Sequence, residues 1–292
     1  MSRPSRWEAE MATASPAAAP AGAPARGPVA TRGAQSRLRR LLRARLPGIL
    51  ALAGFILLWQ LIIIVFDLRP ILFPGPSLVW QAFVDAAADG SLVRESASSL
   101  SAMAIGLVWA LVVGIPLGLW IGMSPTTDLV TSPYLWAFFA TPRLALAPLM
   151  ILWLGFGLET KIWLVFLSAV IPLMLSCKDG VQTADSSLIA AARSFGAGRM
   201  ALFAKVIAPS TLPFIASGIR NGISRGFVGL LVIELTVGSG GIGTEVMRSM
   251  RAFDTARMFA FALVLVVVAL ALISLSKRLE SYASRWREEV AL

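Results

Sequence analysis

Four ionisable side chains stand inside otherwise apolar runs: Arg143, Arg220, Arg225 and Glu234. A charge in hydrocarbon is costly, so each is a candidate for lining a pathway, pairing, or reaching water. Arg220 lies in the first third of its run, where a long side chain snorkels to the interface. Arg225 is deeper. Arg143 follows Pro142 in a proline-rich run. It either faces a pathway and attracts an anion, or reaches water through the opening that the proline makes. Glu234, near the end of its run, either pairs with an arginine or lines the pathway, and pairing is the favoured reading. One carboxylate with no histidine is a poor proton relay, which argues against proton-coupled transport.

Enzyme chemistry finds no constellation. The 292 residues include no histidine and one cysteine, Cys177, which excludes the usual zinc sites and any disulfide framework. Cys177 ends an apolar run and reads as a small buried hydrophobe. "GSGGIG" sets Gly238, Gly240 and Gly243 in a G-x-G-x-x-G pattern, but it follows an apolar run rather than a strand. It reads as a flexible turn where backbones come close. No G-x-x-x-x-G-K-[ST] occurs, so the chain has no phosphate-binding loop for ATP. There is no base for a serine nucleophile, and no paired carboxylates in one apolar region. The expected catalytic, metal and cofactor sets are therefore empty.

The elements that would position these residues are membrane helices. Hydrophobic residues make up 57% of the chain and charged ones 14%, against roughly 25% charged in an average soluble domain. Six runs approach the roughly 20 residues that a helix needs to cross hydrocarbon: Gly48–Phe66, Ser98–Met123, Leu129–Gly155, Ile162–Cys177, Leu212–Val237 and Arg257–Ser276. The third carries Pro133, Pro142 and Pro148 and is expected to kink. Residues 1–47 read as a tail: an Ala/Pro/Gly-rich part without periodicity, then the short basic amphipathic helix "SRLRRLLRARLPG" (Ser36–Gly48). The basic residues lie far from Met1 and no small-residue cleavage site follows the long apolar run, so a retained first span fits better than a signal peptide. The expected divisions are this tail, 48–97 with the first span and an outer helix, a core at 98–276, and a tail at 277–292.

The net charge of +10 could suggest nucleic acid, but its placement points to topology. Nine arginines precede the first span against two acids, Glu8 and Glu10. With the N-terminus inside, the inner segments hold 17 of the 26 Lys and Arg, as the positive-inside rule expects. Arg69, Arg94, Lys161, Arg248 and Arg251 fall in outer turns, Lys161 in the turn Phe156–Lys161. The outer segment "FPGPSLVWQAFVDAAADG" (Phe73–Gly90) reads as a short helix capped by Ser77. Its apolar face is either an interfacial anchor or a docking surface for an external partner.

Between the fourth and fifth runs lies "SSLIAAARSFGAGRMALFAKVIAP", Ser186–Pro209. Asp185 can cap a helix over Ser186–Phe195 that aligns Leu188, Ala191, Ala192 and Phe195 on one side. Gly196-Ala197-Gly198 stops it. A second short helix spans Arg199–Ile207, with Met200, Phe203 and Ile207 on another face, and Pro209 ends it. This is a basic, amphipathic helical hairpin on the inner side, either interfacial or built to fill a groove on a cytoplasmic partner.

The hairpin resembles the coupling loop of bacterial ABC-importer permeases, whose signature is E-A-A-x3-G-x9-I-x-L-P. Ala190-Ala191-Ala192, Gly196 and Val206-Ile207-Ala208-Pro209 match its spacing, with Ala190 in place of the glutamate. "TPRLALAPLMILWLGFGLETKI" (Thr141–Ile162), "FPGPSLVWQAF" (Phe73–Phe83) and "GIR" (Gly218–Arg220) are similar to the nitrate/sulfonate/taurine and thiamine-precursor branch. The resemblance implies an all-α, six-helix permease of the type I importer kind in the bacterial inner membrane, both termini cytoplasmic. Two copies would form the pathway. Separate ATPase subunits, carrying ATP and magnesium, would bind the hairpin through Ala190, Ala191, Ala192, Arg193, Phe195, Gly196 and Pro209. A solute-binding protein would deliver substrate from outside: a sulfonate, taurine, nitrate or a vitamin precursor. Two other readings stay open from the residues: an ion-coupled secondary transporter, and a membrane scaffold that recruits a cytoplasmic partner.

Overall fold

The computed structural model describes residues 32–283. The tail residues 1–31 and 284–292 lie outside the described residues. The chain divides after Ile56, and the residues from 57 on pack as a unit of their own. Every regular element among the described residues is helical. They are α1 (Arg32–Val65), α2 (Pro76–Ala88), α3 (Ser91–Met123), α4 (Pro125–Ala140), a 3₁₀ turn (Arg143–Leu146), α5 (Ala147–Leu154) and α6 (Leu158–Gln182). Then come α7 (Ser186–Ser194), α8 (Arg199–Leu202), a π-helical turn (Phe203–Ile207), α9 (Ala208–Val237), α10 (Ile242–Arg251) and α11 (Thr255–Ala283).

Among the described residues, five helical runs are long and apolar enough to cross a membrane: Leu46–Val65, Ser91–Met123, Leu158–Gln182, Arg199–Arg251 and Thr255–Arg278. The expected third span is not one kinked helix. Proline disfavours the helical region for the residue before it. Thr141, before Pro142, is extended at φ −64°, ψ 129°, and α4 stops there. Pro148 then sits in the first turn of α5, where its missing N–H costs nothing. Other boundaries move too. The basic segment Ser36–Gly48 is the first part of α1, which runs on through Pro47. The cap of α2 is Gly75, with Pro76 opening the helix, rather than Ser77. α6 begins at Leu158, so Lys161 lies in its first turn and is fully buried.

α6 is the centre, packed between α3 and α9. Lipid is as apolar as a leucine side chain, so membrane helices gain by close backbone approach at small residues. α3 supplies Gly106, Gly114, Gly118 and Gly122, which face in order Val165, Leu173, Met174 and Val181 of α6. The two helices therefore run parallel. α9 supplies Gly218, Gly222, Gly226 and Gly229 against Ser176, Ala169, Val165 and Ser168, an antiparallel pairing. One end of the bundle thus holds Lys178 and the hairpin, the other Lys161 and Glu234.

The seam predicts a sharp steric response. A Cβ on Gly118 would lie 2.6 Å from the Met174 carbonyl oxygen and 2.7 Å from the Cys177 Cβ, and backbone cannot step aside cheaply. Gly118→Val is expected to destabilise by about 1–3 kcal/mol or more. Gly54→Ala, where nothing lies within 4 Å, is expected to be neutral. Thermal melting of the purified protein checks both, and equal melting temperatures would rule out the close approach.

Candidate functional site

The hairpin is built by local capping. The Asp185 carboxylate accepts from the Ser187 N–H at 2.7 Å and starts α7. At the other end Gly196 takes φ +78°. The Gly196 N–H donates to the Arg193 carbonyl at 2.9 Å and the Ala197 N–H to the Ala192 carbonyl at 3.0 Å. This pair of bonds is the glycine stop that satisfies a helix's last carbonyls. Phe195 is 92% exposed, Met200 78% and Leu188 56%. Ala190, Ala191 and Arg193 are exposed and Ala192 half-buried. Leu202 turns inward instead and is buried.

Pro209 does not end the second arm. It sits in the first turn of α9, and helical structure continues from Arg199 to Val237 through the π turn. Prolines at 209 and 213 remove two donors there. The Ile207 carbonyl accepts from the hydroxyls of Thr211 at 2.7 Å and Ser210 at 2.8 Å. The hairpin is therefore joined to a membrane helix without a flexible break. Beside it, Lys178 of α6 pairs with Asp128 of α4 at 3.0 Å and donates to Ser132 at 2.9 Å. Gln182 donates to the same carboxylate at 2.7 Å.

The Asp185 cap titrates. Hydrogen bonds from the Ser187 hydroxyl and then its backbone N–H hold the Asp185 carboxyl below its ordinary value. A carboxyl lowered by folding contributes stability that is fully present above its unfolded pKa and lost as pH falls through the lowered one. Amide protection across 186–194, corrected for intrinsic exchange, is expected to stay flat from pH 8 to about 5 and to fall below about 4. Asp185→Asn caps without titrating and should remove that acid loss. The same loss in the Asn variant would show that the cap is not its cause.

Arg225 lies on α9 beside the glycine seam, next to Gly229 in the lining of one cavity. With Asn221 and Ser224 it forms an exposed polar stripe at helical spacing, continued by Val228, which is 59% exposed. The Arg225 guanidinium stacks 4.6 Å over the Phe139 ring. Both line a cavity of about 380 Å³, as do Thr141, Pro142, Ser168 and Val232. Arg143 opens the 3₁₀ turn directly after Pro142. Arg220 pairs with Glu280 of α11 at 2.8 Å.

Glu234 is fully buried at the opposite end from the hairpin, and its partner is a lysine rather than an arginine. Lys161 Nζ lies 3.4 Å from its Oε1, and donates to Ser98 Oγ at 2.9 Å and to the Gly240 carbonyl at 2.6 Å. Glu234 also accepts from Ser99 Oγ at 2.7 Å and the Gly243 N–H at 2.9 Å. Glu95, 6% exposed, accepts from the Gly241 N–H at 2.6 Å. Two buried carboxylates thus converge on one loop, contrary to the expectation of none in one apolar region. The Gly238–Gly243 turn is correspondingly clamped, not flexible. Gly241 has φ +101°, and a Cβ on it would collide with the Glu234 carboxylate.

Sequence reasoning missed Glu95, Lys161, Asn221 and Ser224. The stripe was detectable as polar residues three and four apart within an apolar run. The cluster was not, because its members are separated by up to 146 residues.

Comparison with known proteins agrees with this architecture. Residues 114–286 match the family described as binding-protein-dependent transport system inner membrane component. The chain is 30% identical over 244 residues to the taurine transport system permease protein TauC of Escherichia coli (strain K12), covering 82% of this chain and 89% of that protein. It is 30% identical over 253 residues to the riboflavin transport system permease protein RibX of Chloroflexus aurantiacus, covering 86% and 94%. Among solved structures, an inward-facing MetNI methionine ABC transporter chain superposes with a TM-score of 0.61 at 18% identity, covering 68% of this chain and 99% of that one, and so shares the fold. The chain belongs to the family of inner membrane permease components of binding-protein-dependent ABC transport systems.

Proposed function

We propose that the chain is the importer subunit through which a small solute crosses the inner membrane, driven by ATP hydrolysed on separate cytoplasmic subunits. The observation that carries this reading is the hairpin: a well-capped element that leaves the apolar side chains of Phe195, Met200 and Leu188 exposed while Leu202 anchors it. Exposed apolar groups on a basic, ordered turn suit a groove on a soluble partner. Placing the hairpin inside agrees with the bias of 17 Lys and Arg on that side and puts both termini in the cytoplasm.

The pathway reading rests on α9. A charged and polar stripe cannot face lipid cheaply, so Asn221, Ser224 and Arg225 face water or a second copy of the chain. Arg143 and Glu234 take different parts in this account: Arg143 at the break beside the cavity, Glu234 in holding the outer loop. An external binding protein delivers the solute, of the taurine, sulfonate, nitrate or vitamin-precursor kind, to the end where that loop lies. The ATPases' approach moves the hairpins together. α8, the π turn and α9 carry that displacement as one lever, while Lys178–Asp128 draws α4 along with α6. The permease changes shape and does no chemistry. Reconstitution with the cognate ATPase and binding protein tests this reading. Uptake should require ATP, and uptake without any ATPase subunit would refute it.

A further inference from the structure

We infer that the α9 cavity is a binding site for a small oxoanionic group, a sulfonate, carboxylate or phosphate, fed from an arginine-lined recess at the far end of the same helix face. The inference rests on reading that face as the pathway. Arg225, Val228, Val232 and Leu235 fall at i, i+3, i+7 and i+10, so one stripe joins the two spaces. The first is the 380 Å³ cavity at Arg225 and Phe139. The second, about 230 Å³, lies beyond the end of α9 against Gly238, Met247, Arg248 and Arg251.

Three observations set the sign of the charge the site takes. Arg225 lies mid-span and has no carboxylate within ion-pair distance among the described residues. The nearby acids are withdrawn: Glu95, Glu234 and Glu245 are 6%, 0% and 3% exposed. They are committed to loop N–H groups, Lys161, Arg248 and Arg257. Arg225 and Arg251 therefore present cations with no ion-pair partner among the described residues, while Arg248 is held by Glu245. The third observation is Ser168. Its hydroxyl is buried with no hydrogen-bond partner, and the residue lines the Arg225 cavity. Thr141 cannot take its place as a donor, since its hydroxyl already donates to the Ala137 carbonyl at 2.8 Å. A guanidinium fork and a free hydroxyl donor are what a planar or tetrahedral oxoanion needs. The cavity is of the size that holds a small ligand. An anion arriving there supplies the counter-charge that Arg225 lacks.

The test uses the full-length permease in phosphatidylcholine nanodiscs at low salt, with no ATPase and no binding protein. Ethanesulfonate, acetate and inorganic phosphate are titrated by calorimetry, with ethyl methyl sulfone as the uncharged analogue. Saturable binding of at least one anion and none of the sulfone is expected. Arg225→Gln should weaken that anion by about tenfold or more, and Arg225→Lys by less. Ser168→Ala, which keeps Arg225, should weaken it too, and carries the test should Arg225→Gln fail to fold. Failure of all three anions to bind, equal binding of the sulfone, or unchanged affinity in the variants overturns the site. Normal ATP-driven import by hairpin variants would instead overturn the coupling account and leave anion binding intact.

Discussion

Lys161→Ala is expected to destabilise the protein by about 3–5 kcal/mol, the cost of leaving a buried charge without its partner. Glu234 has no exposed surface, and Lys161 is the one cation within ion-pair distance of it among the described residues. The lysine also holds the Ser98 hydroxyl and the Gly240 carbonyl. Its loss therefore leaves the carboxylate without its counter-charge, takes a donor from the Ser98 hydroxyl, and leaves the Gly240 carbonyl to the Thr244 hydroxyl alone. Because the cluster draws on α3, α6, α9 and the loop before α10, the damage should spread to the packing of those helices. Glu234→Gln is expected to cost less, since the amide oxygen still accepts from Ser99 or Gly243. Combining Lys161→Met with Glu234→Gln should recover part of the loss, because neither member of the pair then leaves its partner's charge buried alone. Thermal melting in detergent reads all three. An unchanged melting temperature in Lys161→Ala would remove the cluster's structural role.

Phe195→Ser is expected to do the opposite: leave the fold intact and abolish work. At 92% exposure the ring makes little contact within the chain, so stability should change by no more than about 0.5 kcal/mol. If the ring fills a pocket on an ATPase subunit, its truncation removes an aromatic anchor worth about 2 kcal/mol or more, roughly thirtyfold in affinity. Gly196→Asp attacks the same element through the backbone. Nothing crowds its Cβ position, but φ +78° costs a side-chain-bearing residue about 1–2 kcal/mol. That strain should fray the end of α7 and carry Phe195 out of place. Co-purification with the ATPase should fall in both variants, while the melting temperature moves only in the second.

The hairpin was legible in the sequence because its signals are local: a cap at Asp185, small residues, and a glycine that accepts the left-handed conformation. Even there, Pro209 was misplaced as a terminator, because it falls in the first turn of α9, directly after a π turn that no local pattern announces. The span Leu129–Gly155 looked continuous by hydropathy, yet Pro142 and Pro148 break it into separate helices. The buried cluster was illegible for a different reason. Lys161 sits next to an apolar run and reads as a flanking charge until α3 and α9 are packed against α6. Only then do Glu95, Lys161 and Glu234 meet at one loop. The glycine repeats that enforce this packing are visible in the sequence; their partners are not.

The central claim is that the hairpin couples an external ATPase to a solute path along α9. The most direct measurement is uptake into proteoliposomes holding the permease, its ATPase and its binding protein, with ATP inside or outside the ATPase compartment and with wild-type or Phe195→Ser permease. The account predicts uptake only when ATP reaches the ATPase, and a loss of about tenfold or more in Phe195→Ser with the permease still folded. Undiminished ATP-driven uptake by Phe195→Ser, or uptake sustained by an ion gradient with no ATPase present, would contradict it.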